Sequence, residues 1–168
     1  TLDALRKDET IKMVHLQRSK GYASRSSFTL SILEEAIRAV KKEFPDVVIF
    51  VDNCYGEFTD TKEPIEVGAD IIAGSLIKNP GGGIAPTGGY IVGRKDLVEL
   101  ASYRMTSPGM GAELGASLAN NRLLFQGLFL APHVVAQAVK SAIFAAAFFD
   151  LLGFKTLPAP DTKRNDII

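Results

Sequence analysis

Along this 168-residue chain, short continuous apolar runs alternate with stripes of apolar residues at helical spacing. Residues 1–12 read as the tail of a helix leading into a strand at 13–17, Met-Val-His-Leu-Gln. Ile32, Leu33, Ala36, Ile37, Val40 and Phe44 then recur on one helical face. Thr29 or Ser31 is placed to cap that helix, with Glu34 and Glu35 expected in its first turn and Pro45 ending it. Residues 47–51, Val-Val-Ile-Phe-Val, are continuous, apolar and β-branched, the pattern of a strand buried on both faces.

A short helical turn at 63–67 precedes an apolar strand over 68–74. Tyr90-Ile-Val92, reached across a glycine loop, reads as its antiparallel neighbour, and a short helix follows over 95–103. After a loop at 106–112, a long helix is expected from Glu113 to about Leu130. Pro132, tolerated in a first turn, then restarts a second long helix that Gly153 stops. Strand, helix and strand in this order predict a right-handed βαβ unit, hence an α/β fold with a mostly parallel sheet flanked by helices.

Composition narrows the function classes. Nearly half the residues are apolar and 23% are charged, a globular balance, and a chain of this length can bury a full core. The 19 basic residues match the 19 acidic ones, so the basic excess of a nucleic-acid or membrane-surface binder is missing. The single cysteine, Cys54, forms no internal disulfide and fits a reducing, cytoplasmic setting. The N-terminal residues are polar and do not read as a signal peptide. The most apolar window, 142–149, lies between Lys140 and Asp150, short of the ~20 residues needed to span a bilayer, and is expected as a buried helix. No metal-ligand spacing links Cys54, His15 and His133. The absence of an initiator methionine and the abrupt end at Ile168 are read as the marks of a piece of a longer protein.

Two residues carry the candidate chemistry. Lys78 stands where an apolar strand meets Asn-Pro-Gly-Gly-Gly, and burial of its stem against the sheet end is expected to lower the amine pKa and leave a Schiff-base nucleophile. Asp52 ends the preceding strand, 26 positions earlier, room for a crossover to a second parallel strand. Both then lie at the carboxyl edge of the sheet, where open α/β sheets bind ligands. An acid for a pyridinium nitrogen and an amine for an imine are the groups that pyridoxal phosphate requires. Against this stand the ordinary roles of a turn aspartate and a solvated lysine. Arg18 and Arg25, in a polar loop after the first strand, are candidates for holding an anion or a substrate carboxylate, with a solvated loop as the competing reading.

Asp52-Asn-Cys-Tyr55, Ala73-Gly-Ser75-Leu-Ile-Lys78-Asn-Pro-Gly-Gly-Gly and Gly88-Gly-Tyr-Ile-Val-Gly-Arg94 resemble a family of pyridoxal-phosphate enzymes called aluminium resistance or methionine γ-lyase-like proteins, of the aspartate aminotransferase fold. The resemblance runs from His15 nearly to the end. It implies the central part of a fold type I large domain over residues 1–131, with 132–168 as linking helix and start of a small C-terminal domain. By the same resemblance Lys78 forms the internal aldimine, Asp52 pairs with the ring nitrogen, Tyr55 bonds the phenolic oxygen and Ser75 grips the phosphate. Ile77 departs from relatives that carry a second hydroxyl there. The implied function is elimination at a carbon–sulfur bond of a small amino acid by a cytoplasmic homodimer or homotetramer, with no nucleic-acid or membrane partner. Transamination, or a cofactor-binding stress protein with little turnover, are the alternatives. The S-x-x-K pattern of penicillin-binding proteins fails for lack of its partner motifs, and Gly81–Gly83 lacks the G-K-[ST] ending of a P-loop.

Overall fold

A computed structural model describes residues 1–105, 107–115 and 119–167. Four strands form one sheet in the order β1 (Met13–Gln17), β2 (Val48–Asp52), β3 (Ile71–Ser75), β4 (Gly89–Gly93). The first three are parallel and β4 runs antiparallel to β3, as the glycine-loop connection predicts. A short α1 (Leu2–Lys7) precedes β1, and α2 (Leu30–Glu43) crosses from β1 to β2. Thr29 is the cap, its Oγ1 accepting the Ile32 N–H at 3.1 Å. Because α2 opens at Leu30, Glu34 falls beyond the first turn and accepts a 2.7 Å bond from Arg38 instead.

The core lies on one face of the sheet. Leu30, Leu33, Ile37 and Val40 of α2 pack with Leu5, Val14, Ile49, Val51 and Ile72. Each such side chain contributes roughly 1.5–3 kcal/mol on burial. β2 is not buried on both faces: Ile49 and Val51 are covered, while Val48, Phe50 and Asp52 are half-buried. The reason is that α2 covers only the inner row, leaving the opposite face to Met13, His15, Phe50 and Asp52, with His15 stacked on Phe50 at 4.8 Å. At the edge where β2 and β3 begin, Asp70 ties α2 to the sheet. It accepts the Ile49 N–H at 2.7 Å and pairs with Lys41 at 2.7 Å and Arg94 at 3.4 Å.

The C-terminal half departs from the sequence reading. α3 (Lys95–Ser102) is as expected, but Gly111–Glu113 forms only a 3-10 turn and α4 opens at Asn121. Ala119, in the left-handed region at φ 67°, breaks the expected run from Glu113, while 106 and 116–118 lie outside the described residues. α4 then continues unbroken to Leu151 with Pro132 inside it. Proline removes one ladder bond, at a cost of about 3 kcal/mol, but no capping residue directly precedes it to end the helix. Nor is 142–149 buried. Only Gly127, Ala131, Val135 and Ala146 of α4 are covered, and Phe129 and Phe144 stand 85% and 71% exposed. By length and composition alone this 31-residue helix is long and apolar enough to cross a membrane. The tail beyond it returns to the loops after β1 and β2, where Asp166 accepts the Lys20 N–H at 3.3 Å and Lys163 pairs with Asp60 at 3.4 Å.

Candidate active site

Parallel pairing delivers the loops after β1, β2 and β3 to a single edge. Gln17, Asp52 and Ala73 stand in one row across the three strands. Strand alternation puts this row, with Ser75 two residues on, on the face opposite Val51 and Ile72. Asp52 and Ser75 thus share the less covered face, both half-buried.

The chain turns sharply after Asp52. Asp52 Oδ1 accepts the Cys54 N–H at 3.0 Å, and the Asn53 N–H donates to the Ala73 carbonyl at 2.9 Å. Tyr55 and Phe58 both adopt left-handed backbone, at φ 68° and 61°, a strained choice for large side chains. Glu63 steadies the turn, accepting the Phe58 N–H at 3.0 Å and the Asn53 amide at 2.9 Å. The strain places the Tyr55 ring beneath Lys78, whose Nζ lies 4.5 Å from the ring centroid, in cation–π range.

Lys78 follows β3 by three residues. Its N–H donates to the Ser75 carbonyl at 3.2 Å, and Asn79–Gly81 coil into a 3-10 turn. Behind this turn the backbone of Gly127 on α4 lies directly against Gly81 and Gly82, a contact that a Cβ at Gly127 would fill. The expectation of a lowered amine pKa does not hold. Burial is the largest influence and pulls Lys78 down, but Cys54, Tyr55 and Asp52 together outweigh it and raise the amine above its ordinary value. The amine is only half-buried among groups that favour its cation. The Cys54 thiol is pushed up as well, by burial and then by Asp52.

Four of the residues singled out in the sequence are therefore gathered: Asp52, Tyr55, Ser75 and Lys78. Arg18 is not presented to a ligand, and Arg25 is half-buried and engaged with its own loop. Arg18 is fully buried and donates to Asn53 Oδ1 at 2.9 Å, Thr59 Oγ1 at 3.3 Å and Glu63 Oε2 at 3.4 Å. Arg25 donates to the Gln17 and Ser26 carbonyls, each at 2.9 Å, and stacks on Phe28. Arg18 ties together side chains of the loop after β2, whereas Arg25 braces main-chain carbonyls of its own loop.

The sequence reading missed the layer below. Glu57, 4% exposed, accepts the Tyr90 hydroxyl at 2.8 Å; that hydroxyl accepts from the Asn53 amide at 3.2 Å. The Asn79 amide donates to the Glu57 main-chain carbonyl at 2.9 Å, tying the two loops together. Gly74 makes room, since a Cβ there would collide with both Glu57 and Tyr90. The available signal was the cluster of polar residues, Asn53 and Glu57, directly following a buried strand. Burial, countered by the Tyr90 bond and assisted by Glu63, lifts Glu57 from 4.5 to about 7. Burial first, then Glu57, also pushes the Tyr90 phenol up.

A stability change with pH follows. With its pKa raised in the folded state, Glu57 binds more protons folded than unfolded between about 4.5 and 7. Its contribution is full below the lower value and is lost as pH rises through the higher. Glu57→Gln should flatten this slope, worth on the order of 2–3 kcal/mol. Urea midpoints at pH 4.5 and 8 measure it; a variant with the wild-type slope would assign the pH dependence elsewhere.

Comparison with known proteins gives the site a context. The family model described as methionine γ-lyase matches residues 2–168. The chain is 57% identical over 157 residues to the uncharacterized protein YnbB of Bacillus subtilis, covering 94% of this chain and 37% of that protein. A crystal structure of a carbon–sulfur lyase involved in aluminium resistance, from Clostridium novyi, superposes with a TM-score of 0.93 at 51% identity, covering 98% of this chain and 39% of the other. A Bacillus cereus protein is 61% identical with a TM-score of 0.89, covering 92% and 38%. Aspartate aminotransferase from Thermus thermophilus, 14% identical with a TM-score of 0.61 over 92% of this chain and 46% of that one, shares the fold alone. The chain thus spans about two fifths of the length of the relatives named here.

Proposed function

Since this chain belongs to the methionine γ-lyase family and has the fold of type I pyridoxal-phosphate enzymes, we propose that it contributes the cofactor lysine and ring-nitrogen acid of a carbon–sulfur lyase. One observation carries the reading: the Lys78 amine stands over the Tyr55 ring, beside Asp52, at the carboxyl edge of a parallel sheet. The donor set fits pyridoxal phosphate. Lys78 would offer a primary amine to the aldehyde, Asp52 a carboxylate to the ring N–H, Tyr55 a phenol to the ring oxygen, and Ser75 a hydroxyl to the phosphate. When bound, the cofactor supplies an electron-accepting ring that stabilises negative charge at the substrate Cα.

The chain's own residues then divide the work. Lys78, as a free amine, would be the base that takes the substrate Cα proton and holds it as an ammonium. The Tyr55 face and the Asp52 carboxylate favour that cation. Asp52, its orientation set by the Cys54 N–H, would keep a proton on the ring nitrogen. Tyr55 is carried by the left-handed turn after β2. Expulsion of sulfur from Cβ or Cγ, rather than transamination, is supported by relatives described as carbon–sulfur lyases.

We read the substrate as a small sulfur amino acid and the working form as a cytoplasmic homo-oligomer. The exposed apolar residues of α4 support association, offering a face that a partner subunit would cover. The test is keto-acid release from cystathionine, methionine, cysteine and homocysteine by the protein loaded with pyridoxal phosphate. Release from at least one is expected. Amino-group transfer that leaves a sulfur-containing keto acid, with no release of thiol or ammonia, would replace elimination with transamination.

A further inference from the structure

Lys78 and Tyr55 hang from one buried residue that the proposed chemistry does not use. Glu57 lies between the two left-handed residues, Tyr55 and Phe58. Its side chain reaches down to the Tyr90 hydroxyl at 2.8 Å, and its main-chain carbonyl holds Asn79, the residue after Lys78, at 2.9 Å. The strained turn carrying the Tyr55 ring and the turn carrying the amine are thereby pinned to the same point. Glu57 and Asn79 are 4% and 5% exposed, so water does not substitute for either bond.

The two charge states of Glu57 grip that point unequally. As a carboxylate it accepts the Tyr90 proton in a charge-assisted bond, short and strong. As a neutral acid it accepts more weakly and must place a proton on an oxygen; Oε2 is buried with no hydrogen-bond partner among the described residues. The groups that face it are few. Tyr90 approaches from β4, Glu63 from the segment before the 3-10 turn Pro64–Val67, and Arg18 from the end of β1. The remaining surroundings from β3, the Lys78 loop and α4 are the apolar Ile72, Leu76, Pro80 and Leu128, which line a cavity of about 360 Å³ shared with Glu57 and Tyr90.

We propose that Glu57 is a positioning residue whose charge state, acting through the Tyr55–Phe58 turn and Asn79, sets how the Tyr55 ring lies against the Lys78 amine. Its consequence for carbon–sulfur cleavage rests on the function proposed above, whereas the positioning itself does not. Burial and Glu63, countered by Tyr90 and Arg18, leave both charge states populated near neutrality, so the switch operates at about pH 7.

The reporter is the Lys78 ε-methylene NMR signal, assigned by its loss in Lys78→Ala and shifted by the ring current of Tyr55. In the protein without cofactor, that signal should step at about pH 7. Glu57→Gln should abolish the step while leaving the signal resolved. Tyr90→Phe removes the bond that stabilises the carboxylate, and should move the step up by about one pH unit. A wild-type signal without a step, or a step that survives Glu57→Gln, overturns the proposal. If Glu57→Gln does not fold, Tyr90→Phe decides: an unmoved step overturns it as well. Adding pyridoxal phosphate separates the two readings. A step at the same pH in its visible absorbance supports both. A Lys78 step with no lysine-bound absorbance keeps the positioning and refutes the lyase lysine, and absorbance without any step does the reverse.

Discussion

Replacing Lys78 with alanine should remove the visible absorbance of lysine-bound pyridoxal phosphate and all keto-acid release together, while the thermal unfolding transition stays nearly in place. The separation of effects follows from the residue's surroundings. Lys78 is half-buried, and among the described residues its side chain makes no salt bridge. Its contact over the Tyr55 ring is worth about 0.5–1 kcal/mol. The strand end and the Asn79–Gly81 turn are held by main-chain bonds and by Asn79, which the substitution leaves alone. Lys78→Arg keeps the cation over Tyr55 but cannot condense with an aldehyde, and should be as inactive as alanine. Absorbance retained by the alanine variant would remove Lys78 from the site. The raised amine pKa adds a sign: the free lysine is an ammonium at neutral pH, so loading should quicken as pH rises.

Asp52→Asn should slow exchange of the substrate Cα proton by about 10²–10³, or roughly 3–4 kcal/mol, with much less effect on cofactor affinity. Asparagine preserves the shape and the acceptor that Asp52 Oδ1 offers to the Cys54 N–H, so the turn survives. What disappears is the negative charge that keeps a ring nitrogen protonated. Exchange of deuterium at Cα, followed by proton NMR in the loaded protein, isolates that step from sulfur release. A rate equal to wild type would show that the carboxylate only caps its turn.

Much of the site was legible in the sequence because its parts are local. A strand end followed by a short turn determines where Asp52 and Lys78 emerge, and β-branched runs separated by one amphipathic helix determine parallel pairing. The antiparallel β4 followed from a connection too short for a crossover. Even the pairing of an acid with a lysine required no more than both standing at the same sheet edge.

Tertiary structure decided what depends on groups remote in sequence. Arg18 looked like an anion ligand until Asn53, Thr59 and Glu63 surrounded it, more than 30 positions away. The direction of the Lys78 shift turned on neighbours that charge spacing alone does not place. Pro132 and Ala119 defeated the helix boundaries because a proline's tolerance, and a left-handed alanine, are settled by packing rather than by propensity. Glu57 shows the limit most clearly. The polar cluster after a buried strand marks its neighbourhood but not its burial; only the closing of β4 over Gly74 puts Tyr90 against its carboxyl, while its main-chain carbonyl takes the Asn79 amide of the second loop.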